Sequence, residues 1–503
     1  MKSRLSIDGN TLTIEQVVEV ARGTAEVALA LSAKRLMEES RAWVERSVKR
    51  HEVVYGVTTG FGAFQNVSIP ANKLRELQRN MILSHCAGVG APFPDEVTRA
   101  MMLLRVNALA KGFSGIRVST VERLLKHLNK RVHPVIPEQG SVGASGDLAP
   151  LSHMAAVLMG EGEATYKGKR MEAAAALKAA GIPPVVLEAK EGIALNNGTQ
   201  AMTAVGVLAL NDAERLADSA DVAAAMTLEA VKGKSTPFDS AIHRIRPHPG
   251  QEASARNIRN MIRGSRLVDA ADSDTDGKVQ DSYAIRCVPQ VHGASRDALG
   301  YVRKVLEVEI NSATDNPLIF PKERKARSAG NFHGQPVALA MDFLALAVAE
   351  LGSISERRTA KLMDRNHSSG LPAFLVNNGG IQSGLMIAQY TAAALVSENK
   401  VLVHPASSDS IPTSANQEDH VSMGTIAARH ARQVVHNVWR VIAIELICAA
   451  QALELRNGRP GHGTQKALKA IRKIVRSFNN DRMLSGDIER LSDALHSGSL
   501  SLL

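Results

Sequence analysis

Cysteine and aromatic residues are scarce in this sequence. Its 503 residues include three cysteines, and 3% of the residues are Phe, Trp or Tyr. The cysteines are far apart and show no CxxC spacing, at positions Cys86, Cys287 and Cys448. This pattern argues against a disulfide framework and against a zinc site. Small or unbranched apolar residues such as Ala and Leu are abundant instead, which favours closely packed helices over a β-sandwich.

The chain also lacks a strong excess of one charge. Lys and Arg total 60 and Asp and Glu total 50, which gives a net charge of +10. Basic residues cluster at residues 322–327 and on a helical face formed by Lys466, Lys469, Lys473 and Arg476. A solvated face explains the second cluster better than a phosphate groove, since aromatic stacking residues are lacking nearby. No nucleic-acid partner is expected, and a basic helical nucleic-acid-binding protein is the alternative from another functional class.

Long uncharged apolar runs are missing as well. The longest apolar stretches, residues 336–351 and 441–453, contain Asp342, Glu350 and Glu445, which argues against a membrane span. The N-terminal sequence MKSRLSIDGN has no apolar segment typical of a signal peptide. We therefore expect a cytoplasmic protein without a membrane partner.

Helix signals dominate what is present. Apolar residues make up 45% of the chain, and their spacing of three and four predicts helices at residues 17–31, 35–50, 74–86, 95–110, 336–363, 383–403 and 419–455. The first part is rich in short helices and glycine loops, whereas the second part is typical of long packed helices. We predict a mainly α fold with an N-terminal helical, loop-rich domain at residues 1–197 and a long-helix bundle domain at residues 198–503.

The glycine-rich run GSVGASGDLAPLSH, residues 140–153, has three possible explanations. The first is an ordinary tight turn, which the local sequence alone favours. The second is a serine-nucleophile elbow, but the residue two positions after Ser145 is Asp147 rather than glycine. In the third, the Gly146 amide nitrogen attacks the Ala144 carbonyl carbon to close a ring. Loss of two waters, one containing the Ser145 hydroxyl oxygen, then leaves an exocyclic methylidene group, an electrophile that no side chain supplies.

Other motifs along the chain bear on this choice. They are YGVTTGFG (55–62), NNGTQ (196–200), VQDSYAIRCVPQVHG (279–293), TDNPLIF (314–320), GNFHG (330–334) and SANQEDHVSMG (414–424). Together with the glycine-rich run, their order and spacing resemble the aromatic amino acid ammonia-lyases over nearly the whole chain. The resemblance implies that Ala144, Ser145 and Gly146 form 4-methylideneimidazole-5-one (MIO), with no metal, nucleotide or pyridoxal phosphate (PLP) cofactor. It also implies a fumarase/aspartase-like superhelical helix core, with the MIO loop in the N-terminal domain.

Two places within the chain separate substrates in this family. Ser84 and His85 stand at a position where the phenylalanine enzymes of the family carry Phe-Leu and the tyrosine enzymes carry His-Leu. Glu418 stands where the phenylalanine enzymes tend to have Gln. A carboxylate and an imidazole suit a substrate ring with two nitrogens, whereas a phenyl ring would leave both unpaired.

The expected reaction is therefore non-oxidative elimination of ammonia from L-histidine to give trans-urocanate, the first step of histidine degradation. A tyrosine or phenylalanine ammonia-lyase, or an aminomutase of the same family, is the alternative. Three residues depart from the pattern common in the histidine enzymes and bear on fine specificity: Cys86, Ser282 and Gln335.

The resemblance also implies roles for single residues, although local packing, loop caps or surface charge could explain each of them. Tyr55 would abstract the substrate β-proton, which requires a phenol pKa brought down from about 10. Arg286 would bind the substrate carboxylate, and Tyr283 would act in catalysis with Ser145 and Glu418. The residues expected to contact substrate or MIO are His85, Asn197, Gln280, Arg286, Phe332 and Glu418.

The predicted long helices carry more apolar length than one protomer need bury. The resemblance implies a homotetramer built on these helices, with active sites shared between subunits. In that arrangement one subunit supplies the MIO loop, and pieces such as Tyr55, Tyr283 and Phe332 come from its neighbours.

Overall fold

The computed structural model describes residues 3–269 and 279–503. Helices dominate these residues, which confirms the predicted mainly α fold. They are α1 (Ile14–Ala21), α2 (Leu31–Lys49), α3 (Leu74–His85), α4 (Asp95–Ala110), α5 (Val118–Lys130), α6 (Leu148–Leu158), α7 (Ala173–Ala180), α8 (Glu191–Asn196), α9 (Gln200–Ala230), α10 (Ser240–Arg244), α11 (Pro249–Met261), α12 (Tyr283–Arg286), α13 (Val288–Glu309), α14 (Gln335–Met363), α15 (Met386–Leu402), α16 (Gly424–Glu454), α17 (His462–Arg472) and α18 (Ser485–Ser497).

Short strands form small sheets between these helices. The strands are β1 (Ser3–Ile7), β2 (Ala25–Leu29), β3 (Val89–Pro92), β4 (Val132–Pro134), β5 (Pro137–Gln139), β6 (Glu163–Tyr166), β7 (Lys169–Glu172), β8 (Leu318–Phe320) and β9 (Lys325–Arg327). Strands β1 and β2 pair in parallel, with Ser3 opposite Ala25. The antiparallel sheets have the strand orders β3-β5, β4-β6-β7 and β8-β9.

The first predicted helix, residues 17–31, was wrong in its second half. Helix α1 ends at Ala21, and Gly23 follows in the left-handed region with a φ of 78°. A chain that reverses at such a glycine cannot continue the helix. The next residues form β2, because their alternating buried and exposed side chains suit a strand that pairs with β1.

The chain divides into two compact units, each made of three segments. The first unit comprises residues 1–211, 303–342 and 405–429, and the second comprises residues 212–302, 343–404 and 430–503. Four of the five divisions fall within α9, α13, α14 and α16, and the fifth falls just after α15. Neither unit is therefore continuous in sequence. The domains expected at residues 1–197 and 198–503 stay a prediction.

Helix α4 lies at the centre of the first unit. Every residue from Val97 to Ala110 is buried, and both α1 and α5 pack against it. A helix buried on all its faces is typical of a protein core. Its position matters for function, since it carries a buried arginine towards the glycine-rich run.

Buried charges connect the helices of the second unit. Glu445 on α16 accepts a hydrogen bond from Thr227 on α9 at 2.8 Å and one from Ser355 on α14 at 2.6 Å. Arg358 on α14 donates to both oxygens of the same carboxylate, at 2.6 and 2.8 Å. Such a pair is stable in the interior because the charges compensate each other and their hydrogen-bonding groups are satisfied.

Helices α14 and α16 are apolar enough to span a membrane by length and composition, a test that the core helices of many proteins also pass. Within the protein, 67% and 83% of their most apolar 18-residue stretches are buried. Lys466 and Lys469 on α17 and Lys473 just after it are exposed, whereas Ala467 and Ile471 on the same helix are buried. This arrangement agrees with the solvated face that the sequence favoured.

Candidate active site

The run GASGD forms a tight turn immediately before α6. Gly143 and Gly146 both have left-handed backbones, with φ angles of 71° and 73°, and Ala144 forms a bridge with Gly146. A Cβ atom on Gly146 would lie 2.2 Å from the Gly198 carbonyl oxygen. Glycine is therefore required at position 146 both for its backbone angle and for the close approach of residue 198.

Asp147 fixes this turn to the rest of the first unit. Its carboxylate is buried and accepts hydrogen bonds from Ser141 Oγ at 2.8 Å and from Thr425 Oγ1. The backbone N–H groups of Ala201 and Met202, at the start of α9, also donate to it at 2.9 Å. Burial raises the pKa of Asp147, and these donors oppose the rise. The carboxylate lies at the amino end of α9, where the helix dipole favours an acidic group. The sequence analysis assigned Asp147 no role.

Ser145 itself has two polar partners. Its carbonyl oxygen accepts a hydrogen bond from Asn197 Nδ2 at 2.8 Å, and its Oγ donates to Glu418 Oε1 at 3.2 Å. The other oxygen of Glu418 accepts from Thr413 Oγ1 at 2.9 Å. Asn197 is 2% exposed, and its Oδ1 is buried without a hydrogen-bond partner. One side of the turn therefore presents a carboxylate and an unused amide oxygen.

Tyr55 and His85 both lie near Glu418, whose charge acts on each of them. Burial raises the pKa of the Tyr55 phenol, and the negative charge of Glu418 adds to this, whereas the Gly62 N–H, 3.4 Å from the phenol oxygen, opposes it. Burial lowers the pKa of His85, although the Met81 carbonyl and Glu418 oppose the change. His85 ends α3, and its Nδ1 lies 3.1 Å from Ser84 Oγ.

Desolvation and a neighbouring carboxylate raise the pKa of Tyr55 in the single chain, whereas the reaction was expected to need a lowered pKa. Tyr55 lies near Glu418 of its own chain, which in turn contacts Ser145. Its expected role at the MIO loop of a neighbouring subunit stays a prediction.

Arg105 holds the segment around Asn197 in place, and the sequence analysis missed it. It is fully buried on α4 and donates to the Ala194 carbonyl at 3.0 Å, the Asn197 carbonyl at 2.8 Å and Gln200 Oε1 at 2.7 Å. Burial lowers its pKa to about 10, and the charge of Asp315 opposes this. A charged residue inside the apolar sequence AMMLLRVNALA was the signal that could have marked it.

Phe332 and Gln335 lie at the entrance to α14. Phe332 is half-buried. The neighbouring His333 lies with its Nε2 3.2 Å from the His420 carbonyl oxygen, and the two imidazole rings stack with centroids 5.6 Å apart. Gln335 Oε1 is buried without a hydrogen-bond partner. The GNFHG segment is thus joined to the segment that carries Glu418.

Gln280, Tyr283 and Arg286 belong to the second unit. Arg286 lies over the Tyr283 ring, with its Cζ 4.7 Å from the ring centroid, and its Nε is buried without a partner. Tyr283 is 70% exposed. Gln280, Arg286 and Gln290 line a cavity of about 410 Å³, so Arg286 offers an unused donor to an anion there.

The cysteines and metal-ligating residues show no further site in the described parts of the chain. Cys86, Cys287 and Cys448 are free. Within residues 3–269 and 279–503, no group of three or more His, Cys, Asp or Glu side chains could hold a metal ion.

Comparison with known proteins gives consistent matches. A family model described as aromatic amino acid lyase matches residues 12–473. The histidine ammonia-lyase of Caldanaerobacter subterraneus subsp. tengcongensis is 55% identical over 498 residues, which cover 99% of this chain and 97% of that protein.

Solved structures match over similar lengths. The histidine ammonia-lyase of Trypanosoma cruzi superposes with a TM-score of 0.91 at 45% identity, covering 99% of this chain and 94% of its own. The tyrosine aminomutase of Streptomyces globisporus superposes with a TM-score of 0.94 at 40% identity, covering 99% and 97%.

Proposed function

The chain belongs to the aromatic amino acid lyase family, and we propose that it eliminates ammonia from L-histidine to give trans-urocanate, as the first step of histidine degradation. The observation that carries the proposal is the grouping of His85 and Glu418 beside the Ala144-Ser145-Gly146 turn within one chain. A substrate that carries two ring nitrogens is matched by these two side chains, which an apolar ring would leave unpaired.

We propose that Ala144, Ser145 and Gly146 cyclise to MIO. The turn fits that group, because Gly146 lacks the Cβ that would collide with Gly198, and Ala144 is already paired with Gly146. Asn197 holds the carbonyl oxygen of the central residue Ser145, and Asp147 anchors the chain directly after the reacting segment. When formed, MIO supplies an electrophile that makes the substrate amino group a better leaving group.

The side chains around Ser145 suit the other requirements of the reaction. A lowered pKa keeps His85 neutral, so that its imidazole can donate one hydrogen bond and accept another. The unused Asn197 Oδ1 can accept a hydrogen bond from the substrate amino group. Tyr55 is the proposed base for the β-proton. Its raised pKa means that a positive charge must enter the site before the phenol ionises readily.

The proposed source of that charge is Arg286, which would bind the substrate carboxylate together with Gln280, with Tyr283 and Phe332 completing the site. We propose a cytoplasmic homotetramer in which neighbouring subunits share these residues. Large apolar side chains on α14 and α15 support the assembly, since their exposure marks a surface that needs a partner. They are Phe343, Leu346, Ile387, Tyr390 and Val401.

One experiment tests the substrate and the cofactor together. Urocanate absorbance should grow when L-histidine is added to the purified protein, and L-tyrosine and L-phenylalanine should give much slower product formation. The intact mass should be lower than the translated mass by two waters, and Ser145→Ala should retain at least one of them and lose turnover. An active enzyme of full translated mass would contradict the proposal.

The similarity to an aminomutase makes product identity the second readout. An aminomutase returns the ammonia to the β-carbon, so the product would be a β-amino acid rather than a free alkene. Chromatography of the reaction mixture distinguishes the two outcomes, and a β-amino acid as the main product would favour the alternative.

A further inference from the structure

Two side chains contact the atoms of Ser145 that would react. Its hydroxyl donates to Glu418 Oε1 at 3.2 Å, and its carbonyl oxygen accepts from Asn197 Nδ2 at 2.8 Å. We propose that Glu418 and Asn197 catalyse the loss of the Ser145 hydroxyl as water, so that Glu418 acts first in maturation and later on substrate. The inference rests on the proposed formation of MIO at residues 144–146.

The proposed step begins with a proton transfer. The Cα–H bond of Ser145 breaks, and the proton passes to the carboxylate of Glu418, which already contacts Oγ, an atom two bonds from Cα. The electron pair is delocalised onto the Ser145 carbonyl oxygen. There the N–H of Asn197 stabilises the developing negative charge, in the manner of an oxyanion-hole donor.

Loss of water completes the step. The electron pair forms the Cα=Cβ bond as the Cβ–Oγ bond breaks. Glu418 returns its proton to the departing oxygen, which leaves as water. The carboxylate is regenerated, and no other reactant is needed, because the proton taken from Cα is the one given to the leaving group.

Thr413 is the positioning residue for this carboxylate. Its Oγ1 donates to Glu418 Oε2 at 2.9 Å, and the two backbones pair through N–H···O contacts of 2.9 and 3.2 Å. Three of the four intervening residues have left-handed backbones, with φ angles of 53°, 53° and 66° at Ser414, Ala415 and Asn416. Such a conformation is unfavourable for residues that carry a side chain, and it is retained in a turn that directs Glu418 towards Ser145.

The same arrangement links maturation to substrate binding. Before maturation, Glu418 Oε1 accepts from the Ser145 hydroxyl and Oε2 accepts from Thr413. Loss of the hydroxyl removes the donor to Oε1, which can then accept a hydrogen bond from a ring N–H, whereas Oε2 stays bound to Thr413.

Intact-mass spectrometry of the full chain, followed over time after cell-free synthesis, tests the proposal. The wild-type chain should lose two waters, and Glu418→Gln should retain at least one, with maturation slowed on the order of 100-fold or more. The neighbouring exposed Asp419 provides a matched control, and Asp419→Asn should lose both waters at the wild-type rate. Loss of two waters from Glu418→Gln at the wild-type rate would overturn the proposal.

The Thr413 variants separate positioning from folding. Thr413→Val keeps the side-chain shape without the donor and should slow water loss, whereas Thr413→Ser keeps the hydroxyl and should restore it. Equal rates for Thr413→Val and the wild type would contradict the positioning role. A wild-type chain of full translated mass would instead overturn the proposed function, so the two failures are distinguishable.

Discussion

At the scale of single residues, the reactive turn depends on backbone atoms that meet without side chains between them. The Gly198 carbonyl oxygen accepts the Asp147 N–H at 2.7 Å. It also occupies the space that a Cβ on Gly146 would need, at 2.2 Å. A flexible side chain could move away, but this oxygen belongs to a segment that Arg105 holds on both sides, through the Asn197 carbonyl and Gln200 Oε1. The turn is therefore intolerant of one added carbon atom.

Gly146→Ala should prevent maturation. Two effects could be the cause, the left-handed backbone and the collision with Gly198, and Gly168→Ala separates them. Both glycines have nearly the same left-handed backbone, with φ angles of 73° and 75°, but a Cβ on Gly168 would meet nothing within 4 Å. Backbone strain alone should cost Gly168→Ala about 1 kcal/mol and leave the intact mass two waters below the translated mass. Gly146→Ala should keep the full translated mass. A Gly146→Ala chain that matures normally would contradict the steric argument.

Family resemblance predicted three residues that the structure brings near Ser145, and it missed two that hold this region in place. Tyr55, His85 and Glu418 were predicted, and the structure places all three near Ser145. Arg105 was missed because it acts through hydrogen bonds to residues far away in the sequence, and Thr413 because it acts through the turn that brings it to Glu418, five residues on. The pKa direction of Tyr55 was missed as well, since it depends on burial and on the position of Glu418.

At the scale of elements, apolar spacing predicted several helices well. The expected helix at residues 95–110 coincides with α4, and the expected helix at residues 336–363 differs from α14 by one residue. Helix α9 was not predicted. Helix α16 begins at Gly424 rather than near 419, since the segment before it is taken up by the turn that carries Glu418.

Glu445→Ala should be one of the more destabilising substitutions in the second unit. It would leave Arg358 buried without its bidentate partner, and Thr227 and Ser355 would lose their acceptor. Removing one partner of a buried ion pair costs about 3–5 kcal/mol. The free energy of unfolding in denaturant is the measurement, and the combination Glu445→Leu with Arg358→Met should recover much of the loss.

Glu489→Ala is the matched control in the same unit. Glu489 pairs with Arg440 at 2.9 Å, but both side chains are partly exposed. The loss of such a pair should change the free energy of unfolding by about 0–1 kcal/mol. Equal effects of the two substitutions would show that the buried network does not stabilise the helices of this unit.

At the scale of the whole molecule, the proposed site residues fall into two compact units. Tyr55, His85, Ser145 and Glu418 belong to the first, whereas Tyr283 and Arg286 belong to the second. The sequence suggested a boundary near residue 198. A sequence pattern does not show which segments, far apart along the chain, pack together to form one unit. The exposure of Tyr283 and the unpaired Nε of Arg286 are what the proposed sharing of sites between subunits requires.

Mixing of inactive chains tests that sharing. A Ser145→Ala chain lacks the serine needed for MIO, and an Arg286→Ala chain lacks the proposed carboxylate-binding donor. If Arg286 serves the site of a neighbour, co-expression of the two should restore partial turnover of L-histidine, because some sites receive both intact residues. The control pairs Ser145→Ala with Tyr55→Phe, and it should restore nothing, since Tyr55 lies near Glu418 of its own chain. Activity in the control mixture, or none in the first, would mean that the sites are divided between subunits in another way.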